Sequence, residues 1–142
     1  MEIHIRRGRR TDYATLAALC TWPETAGNLP RLFRRAIADL GYDLYVAEEG
    51  GRAIGVVAVS YVRALGLGGQ RATLEELVVD PERRGTGVGR RLAEFALRRA
   101  RRRGARAFEA RSHDAAAGRF LEHVGFRPCG TRYDRELEEC PR

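Results

Sequence analysis

Six residues, Arg84-Gly85-Thr86-Gly87-Val88-Gly89, concentrate what is needed to hold a diphosphate. They follow an apolar stretch, residues 72–79, that reads as a strand stopped by Asp80-Pro81, because proline cannot donate to a sheet ladder. They lead into residues 88–103, where Val88, Leu92, Phe95, Ala96 and Leu97 recur with helical spacing and Gly104 ends the run. A strand that turns straight into a helix aims unpaired N–H groups at one spot, beside the positive end of the helix dipole. Gly85, Gly87 and Gly89 remove side chains that would block close approach and permit positive φ. Arg83, Arg84, Arg90 and Arg91 add cations able to make charge-assisted hydrogen bonds to phosphate oxygens.

Other phosphate chemistries fit poorly. A GxxxxGK[ST] loop requires a lysine, and all 26 basic residues are arginine. The dinucleotide fingerprint is GxGxxG, whereas this spacing is GxGxG, well past the first strand and without a ribose-binding acid about 20 residues on. A bare tight turn needs neither these glycines nor the flanking arginines.

The elements that must position this loop are legible around it. Ile3 and Ile5 alternate with polar residues as a short strand, followed by a helix capped by Thr11 or Asp12 with Leu16 and Leu19 in its apolar stripe. Trp22-Pro23 and Gly27 break it, and a second helix begins near Pro30, with Leu32, Phe33, Ile37 and Leu40 as its buried face and Gly41 as its stop. Residues 43–48 and 53–62 read as strands joined by a tight Gly50-Gly51 turn. After the long helix come a strand at 107–111, a helix at 115–124, and a last strand pair from Gly125-Phe126 towards Leu137. The order β-α-α-β-β-β-α-β-α-β implies an α/β fold with a mixed sheet.

The 142 residues, 44% hydrophobic, suffice for one core but not two ordinary domains, so a single domain over 1–142 is expected. No run approaches the roughly 18 apolar residues of a membrane span, and a soluble, cytoplasmic protein with no membrane partner is expected. Cys20, Cys129 and Cys140 form no CxxC pair and His4, His113 and His123 lack ligand spacing, so neither a disulfide framework nor a metal is expected. The net charge of +7 favours any polyanion. The arginines at 98–103 complement a helix C-terminus, and no helix-turn-helix, zinc-finger or stacking-aromatic pattern accompanies them, so nucleic acid is not expected as a main partner.

The run Leu74-Glu75-Glu76-Leu77-Val78-Val79-Asp80-Pro81-Glu82-Arg83-Arg84-Gly85-Thr86-Gly87-Val88-Gly89-Arg90-Arg91-Leu92 resembles the signature of the GNAT acetyltransferase family. That pattern, (Arg or Gln)-x-x-Gly-x-(Gly or Ala) after the fourth strand, is filled by Arg84, Gly87 and Gly89. Ala117, Phe120 and Gly125-Phe126 are similar to the family's closing helix-and-strand motif, so the likeness covers essentially the full chain. It implies the GNAT-like acyl-CoA N-acyltransferase fold, with splayed fourth and fifth strands. It further implies acetyl-CoA as co-substrate. The pyrophosphate would rest on Arg84, Gly85, Thr86, Gly87, Val88, Gly89 and Arg90, and the pantetheine arm along the backbone of Leu77, Val78 and Val79. In such proteins the acetyl group passes directly to a primary amine, here of a small molecule or of a protein N-terminus or side chain, and a homodimer is compatible with the likeness.

An aliphatic ammonium with a pKa near ~10 must lose a proton before it attacks a thioester. Glu75 resembles the base of spermidine-type members, and Glu109 that of members acting on ribosomal-protein N-termini. Strict alternation would turn Glu75 and Glu76 to opposite faces, leaving only one to address the acceptor. Many relatives carry a tyrosine after the phenylalanine of the closing helix as an acid for the thiolate. This chain has Leu121, which leaves Tyr133, Tyr61 or water for that role. His113 is a further acid-base candidate and Asp114 a helix cap. Trp22, Glu24, Asn28, Arg132, Tyr133 and Asp134 are candidates for acceptor contacts, Trp22 being equally suited to a core. The departure at Leu121 keeps open a non-catalytic acyl-CoA-binding or regulatory domain.

Overall fold

The computed structural model describes residues 2–23 and 27–137. In chain order, β1 (Ile3–Arg7) leads through a 3-10 turn to α1 (Tyr13–Leu19) and α2 (Leu29–Ala38). A meander of β2 (Tyr42–Glu49), β3 (Arg52–Ala64) and β4 (Gly69–Val79) follows, then α3 (Val88–Arg102), β5 (Ala105–Glu109) and α4 (Ala115–His123). The five strands pair in the order β1-β2-β3-β4-β5, antiparallel except for the parallel β4–β5 pair that α3 connects. The turn between β2 and β3 holds Gly50 and Gly51 at φ 58° and 80°, values that glycine adopts without penalty and that match the twist of a hairpin.

The sheet is covered on both faces, which is why β3 is buried almost without interruption rather than alternately. One face carries Ile54, Val57, Val59, Ala72, Leu74, Leu77 and Val79 against Val88, Leu92, Ala96 and Ala100 of α3. The other carries Leu44, Val46, Val56, Ala58 and Val78 against Leu16 and Phe33 of α1 and α2, with Cys20 and Trp22 at the margin. At the far end of α3, Asp43 is 3% exposed and accepts from Tyr61 Oη, Arg99 Nε and Arg103 Nη1 at 3.0, 2.8 and 3.1 Å.

Three expectations are corrected. The buried face of α2 is narrower than its apolar residues suggested: Phe33 is buried, but Leu32 is 61% exposed, and Leu40, beyond the end of the helix, is 89% exposed. β5 occupies 105–109 rather than 107–111, because Gly104 ends α3 with φ 81° and the chain enters the sheet at once. The last strand pair is not formed: among the described residues, none of 127–137 belongs to a strand. Phe126 packs on Phe108 at 5.6 Å between ring centroids, but beyond it Pro128 offers no N–H and the polar residues 131–136 are exposed, so nothing apolar draws the segment onto the sheet.

Candidate active site

β4 pairs with β5 only from Gln70↔Ala105 to Thr73↔Glu109, although β4 itself runs on to Val79. β5 ends at Glu109, so beyond Thr73 this edge of β4 has no strand partner among the described residues, an opening in the ladder. Asp80 N donates to Ile54 O at 2.8 Å, and ladder alternation therefore turns the backbone groups of Val78 towards β3 and those of Leu77 and Val79 into the opening. Of the three backbone positions expected to meet an extended ligand, two face it.

The loop at the mouth of this opening starts with a 3-10 turn, Pro81–Arg83, held by the Asp80 carboxylate accepting from Glu82 N at 3.0 Å. Gly85 and Gly87 take φ 77° and 91°, and Gly87 immediately precedes α3. Gly89 lies within α3, where a Cβ would make ordinary contacts with Val79 at 3.5 Å and the Phe120 ring at 3.6 Å. The Thr86 hydroxyl donates to Arg83 O. The result is a concave run of backbone at a helix N-terminus, a shape and polarity that fit a diphosphate.

The four flanking arginines are not equivalent. Arg83 donates twice to Glu49, Arg90 pairs with Glu94 at 2.9 Å and lies 3.1 Å from His123 Nε2, and Arg91 donates to Ile3 O at 3.1 Å. Arg84 is exposed and has no side-chain partner among the described residues.

A β-bulge decides where the carboxylates go. Ala58 lies opposite Glu76 and Val59 opposite Leu74, so Glu75 is an extra residue in β4. Leu74 and Leu77 both pack on the α3 side, which leaves Glu75 and Glu76 together on the other face, contrary to strict alternation. Glu75 accepts from Ser60 Oγ at 3.1 Å, and Glu76 accepts from Trp22 Nε1 at 3.0 Å. Burial raises the Glu76 pKa, the Trp22 bond opposes the rise, and the neighbouring Glu75 charge adds to it. Burial, followed by the charges of both glutamates, pushes the Tyr42 phenol up to about 12. The Cys20 thiol is likewise pushed up to about 12 by burial and then by Glu76.

Glu109 occupies the same side of the sheet, since its neighbour Phe108 packs on the α3 side. It is exposed and lies 2.9 Å from Arg71 Nε, a charge contact without hydrogen-bond alignment. Among the described strand carboxylates, Asp43, Glu48, Glu49 and Glu109 each face an arginine, whereas Glu75 and Glu76 accept from neutral donors.

The remaining candidates separate clearly. Tyr61 is buried and committed to Asp43, and burial with that carboxylate's charge raises its pKa well above the usual phenol value, so it is no source of a proton for the opening. Tyr133 is 88% exposed, Leu121 half-buried on α4, and His113 exposed. Asp114 caps α4 by accepting from Ala117 N at 2.8 Å, and Asn28 caps α2 by accepting from Arg31 N at 3.2 Å. Among the described residues, Arg132 and Asp134 pair only with each other, and Glu24 lies outside those residues. Trp22 packs on Tyr13 and Phe33 as a core residue does, and its N–H reaches Glu76. Strict alternation allowed only one of Glu75 and Glu76 to face the acceptor, because a bulge is a property of strand pairing that two consecutive glutamates do not reveal. Among the described residues, no group of three or more His, Cys, Asp or Glu could hold a metal, and no helix is long and apolar enough to cross a membrane.

The sequence matches the Acetyltransferase (GNAT) family over residues 11–126. No curated protein matches it by sequence. Among solved structures, it is similar to a transcriptional regulator from Bacillus halodurans C-125, with a TM-score of 0.83 and 24% identity over 96% of this chain and 100% of that one. It is also similar to glucosamine-6-phosphate N-acetyltransferase from Arabidopsis thaliana, with a TM-score of 0.83 and 18% identity over 97% and 100% of the two chains. A third likeness is to AAC(6')-Iy in complex with the bisubstrate analog CoA-S-monomethyl-acetylneamine, with a TM-score of 0.81 and 19% identity over 99% and 100%. At these identities the likeness establishes the fold.

Proposed function

The chain belongs to the GNAT family of acetyltransferases, and we propose that it moves the acetyl group of acetyl-CoA directly onto a primary amine of a small molecule or a protein. The observation that carries this reading is the ladder that stops at Thr73↔Glu109 while β4 continues to Val79 and into the glycine loop. Acetyl-CoA supplies an activated acyl thioester. The chain's own part is to hold its pyrophosphate on the backbone of residues 85–89 with Arg84, to pair its arm with Leu77 and Val79, and to take a proton from the acceptor.

A glutamate, directly or through a bound water, receives that proton. Glu75 and Glu109 stand on the face opposite α3, and Glu75 is the freer of the two because Arg71 already answers Glu109. The amine nitrogen forms its bond to the acyl carbon as the carbon–sulfur bond breaks. The thiol's pKa near ~8.5 makes the thiolate an adequate leaving group that water can protonate, so Leu121 does not bar turnover.

The test is a panel of polyamines, aminoglycosides, amino acids and N-terminal peptides, with release of free coenzyme A as the readout. Turnover with at least one amine is expected. Tight acetyl-CoA binding with no acceptor in any class would favour a binding or regulatory domain instead.

A further inference from the structure

The bulge of β4 and the segment after α1 meet at one hydrogen bond, Trp22 Nε1 to Glu76 Oε1, which joins positions 54 residues apart. Trp22 is fixed for this contact: its ring lies 6.3 Å from that of Tyr13 and 5.9 Å from that of Phe33, and Phe33 is buried in the core. Glu76 is half-buried, and its neighbour Glu75, on the same face, is exposed and, among the described residues, held only by Ser60. No arginine answers either carboxylate among the described residues of a chain with 26 basic side chains. We infer that Glu75 and Glu76 form one proton-accepting unit, Glu75 its exposed member and Glu76 its sheltered one, and that Trp22 is the positioning residue that holds the unit in place.

This rests on the acetyl-transfer reading, and it follows from how such a pair behaves. An ammonium acceptor presents its proton to the exposed Glu75. Two carboxylates on one face resist being charged together, so the Glu75 charge favours a proton on Glu76. Trp22 donates to the buried member and favours its charged form. Among the described residues, the groups facing Glu76 are Glu75 on β4, Trp22 and Cys20 from the end of α1, and Tyr42 on β2. The Cys20 thiol and the Tyr42 phenol, both pushed up to about 12, stay protonated through neutral pH and add no charge change beside Glu76 there.

The chain has one tryptophan, so a single indole N–H resonance reports on Glu76 directly, whether or not an acceptor is known. In the full chain that resonance is expected to move with pH around a midpoint above the ordinary glutamate value of 4.5. Glu76→Gln should abolish the movement, Glu75→Gln should shift the midpoint down, and Glu109→Gln should leave it in place. With an accepted amine, Trp22→Phe should lower kcat about tenfold, the worth of one hydrogen bond, at unchanged KM for acetyl-CoA. It should also move the acid limb of the kcat profile to higher pH, because the bond that favours the charged carboxylate is gone. An indole resonance that ignores pH, titrates unchanged in Glu76→Gln, or keeps its midpoint in Glu75→Gln overturns the unit. A wild-type chain that acetylates nothing would sink the acetyl-transfer reading, and the indole titration would still decide the pair.

Discussion

Arg83 donates to one oxygen of Glu49 twice, at 3.0 and 2.7 Å, and so fastens the glycine loop to the end of β2. The next residue, Arg84, has no such tie and is exposed at the loop. Neighbouring arginines thus divide the work, one bracing the loop and one left for a ligand. Arg84→Ala should raise KM for acetyl-CoA about 10- to 100-fold with kcat little changed, the range expected for one charge-assisted hydrogen bond. Arg83→Ala should cost distinctly less in initial-rate measurements at fixed salt. Equal losses would show that the division is wrong.

Gly87 holds φ 91° with nothing within 4 Å of the place a Cβ would occupy, so any penalty there comes from the backbone and not from a clash. Gly87→Ala should lose about 1–2 kcal/mol in denaturant unfolding. Gly87→Asn should lose less, since asparagine tolerates left-handed conformations better. An alanine variant as stable as the parent would mean that the loop takes another conformation in solution.

Asp43 is the acceptor on which Tyr61, Arg99 and Arg103 converge. Removing it strands two partly buried guanidinium groups, and Asp43→Ala should destabilise the fold by about 3 kcal/mol. The network adjoins the last turns of α3, on the order of 20 Å along the helix from the glycine loop. Acetyl-CoA affinity measured below the lowered melting temperature should therefore stay at its parental value.

Two carboxylates should give stability opposite dependences on pH. At Asp12, burial pushes the pKa up, but the bonds from Arg6 and the Arg9 backbone outweigh it and bring the group below its ordinary 3.8. Its stabilising effect is present above that value and lost as pH falls through the folded pKa. Glu76 is raised above its ordinary 4.5, so its contribution is present below that value and is lost as pH rises through the folded pKa. Glu76→Gln should accordingly melt higher than the parent at pH 7 and no higher at pH 4. Asp12→Asn should melt lower at pH 7 and converge with the parent in strong acid. Thermal scans at the two pH values decide both.

The parts of this molecule that could be read from sequence are those whose causes are local. Gly85 and Gly87 announce the loop because each holds a positive φ that favours the smallest residue. The period of Val88, Leu92 and Ala96 announces α3 because those residues must meet the sheet. What stayed hidden depends on pairing between distant positions. The shared face of Glu75 and Glu76 comes from a register shift against Ala58 and Val59. Which arginines remain free depends on partners as remote as Glu49, 34 residues from Arg83, and identical side chains give no hint of that division. Leu32 and Leu40 misled because an apolar residue is as readily left in solvent as buried, whereas a buried charge is not.

The open edge of β4 also bears on how the fold holds itself together. Leu77 and Val79 direct backbone groups into a gap where the ladder with β5 would otherwise continue, so the sheet is locally unfinished and its amides there have no strand partner among the described residues. A ligand that lies along this edge acts as a removable piece of secondary structure. Hydrogen exchange at residues 77 and 79 should be rapid in the free chain and slow once the edge is filled. The melting point should climb with ligand concentration, by an amount equivalent to about 2.7 kcal/mol at a hundredfold excess over Kd. Occupancy and rigidity would then be a single quantity read in two ways.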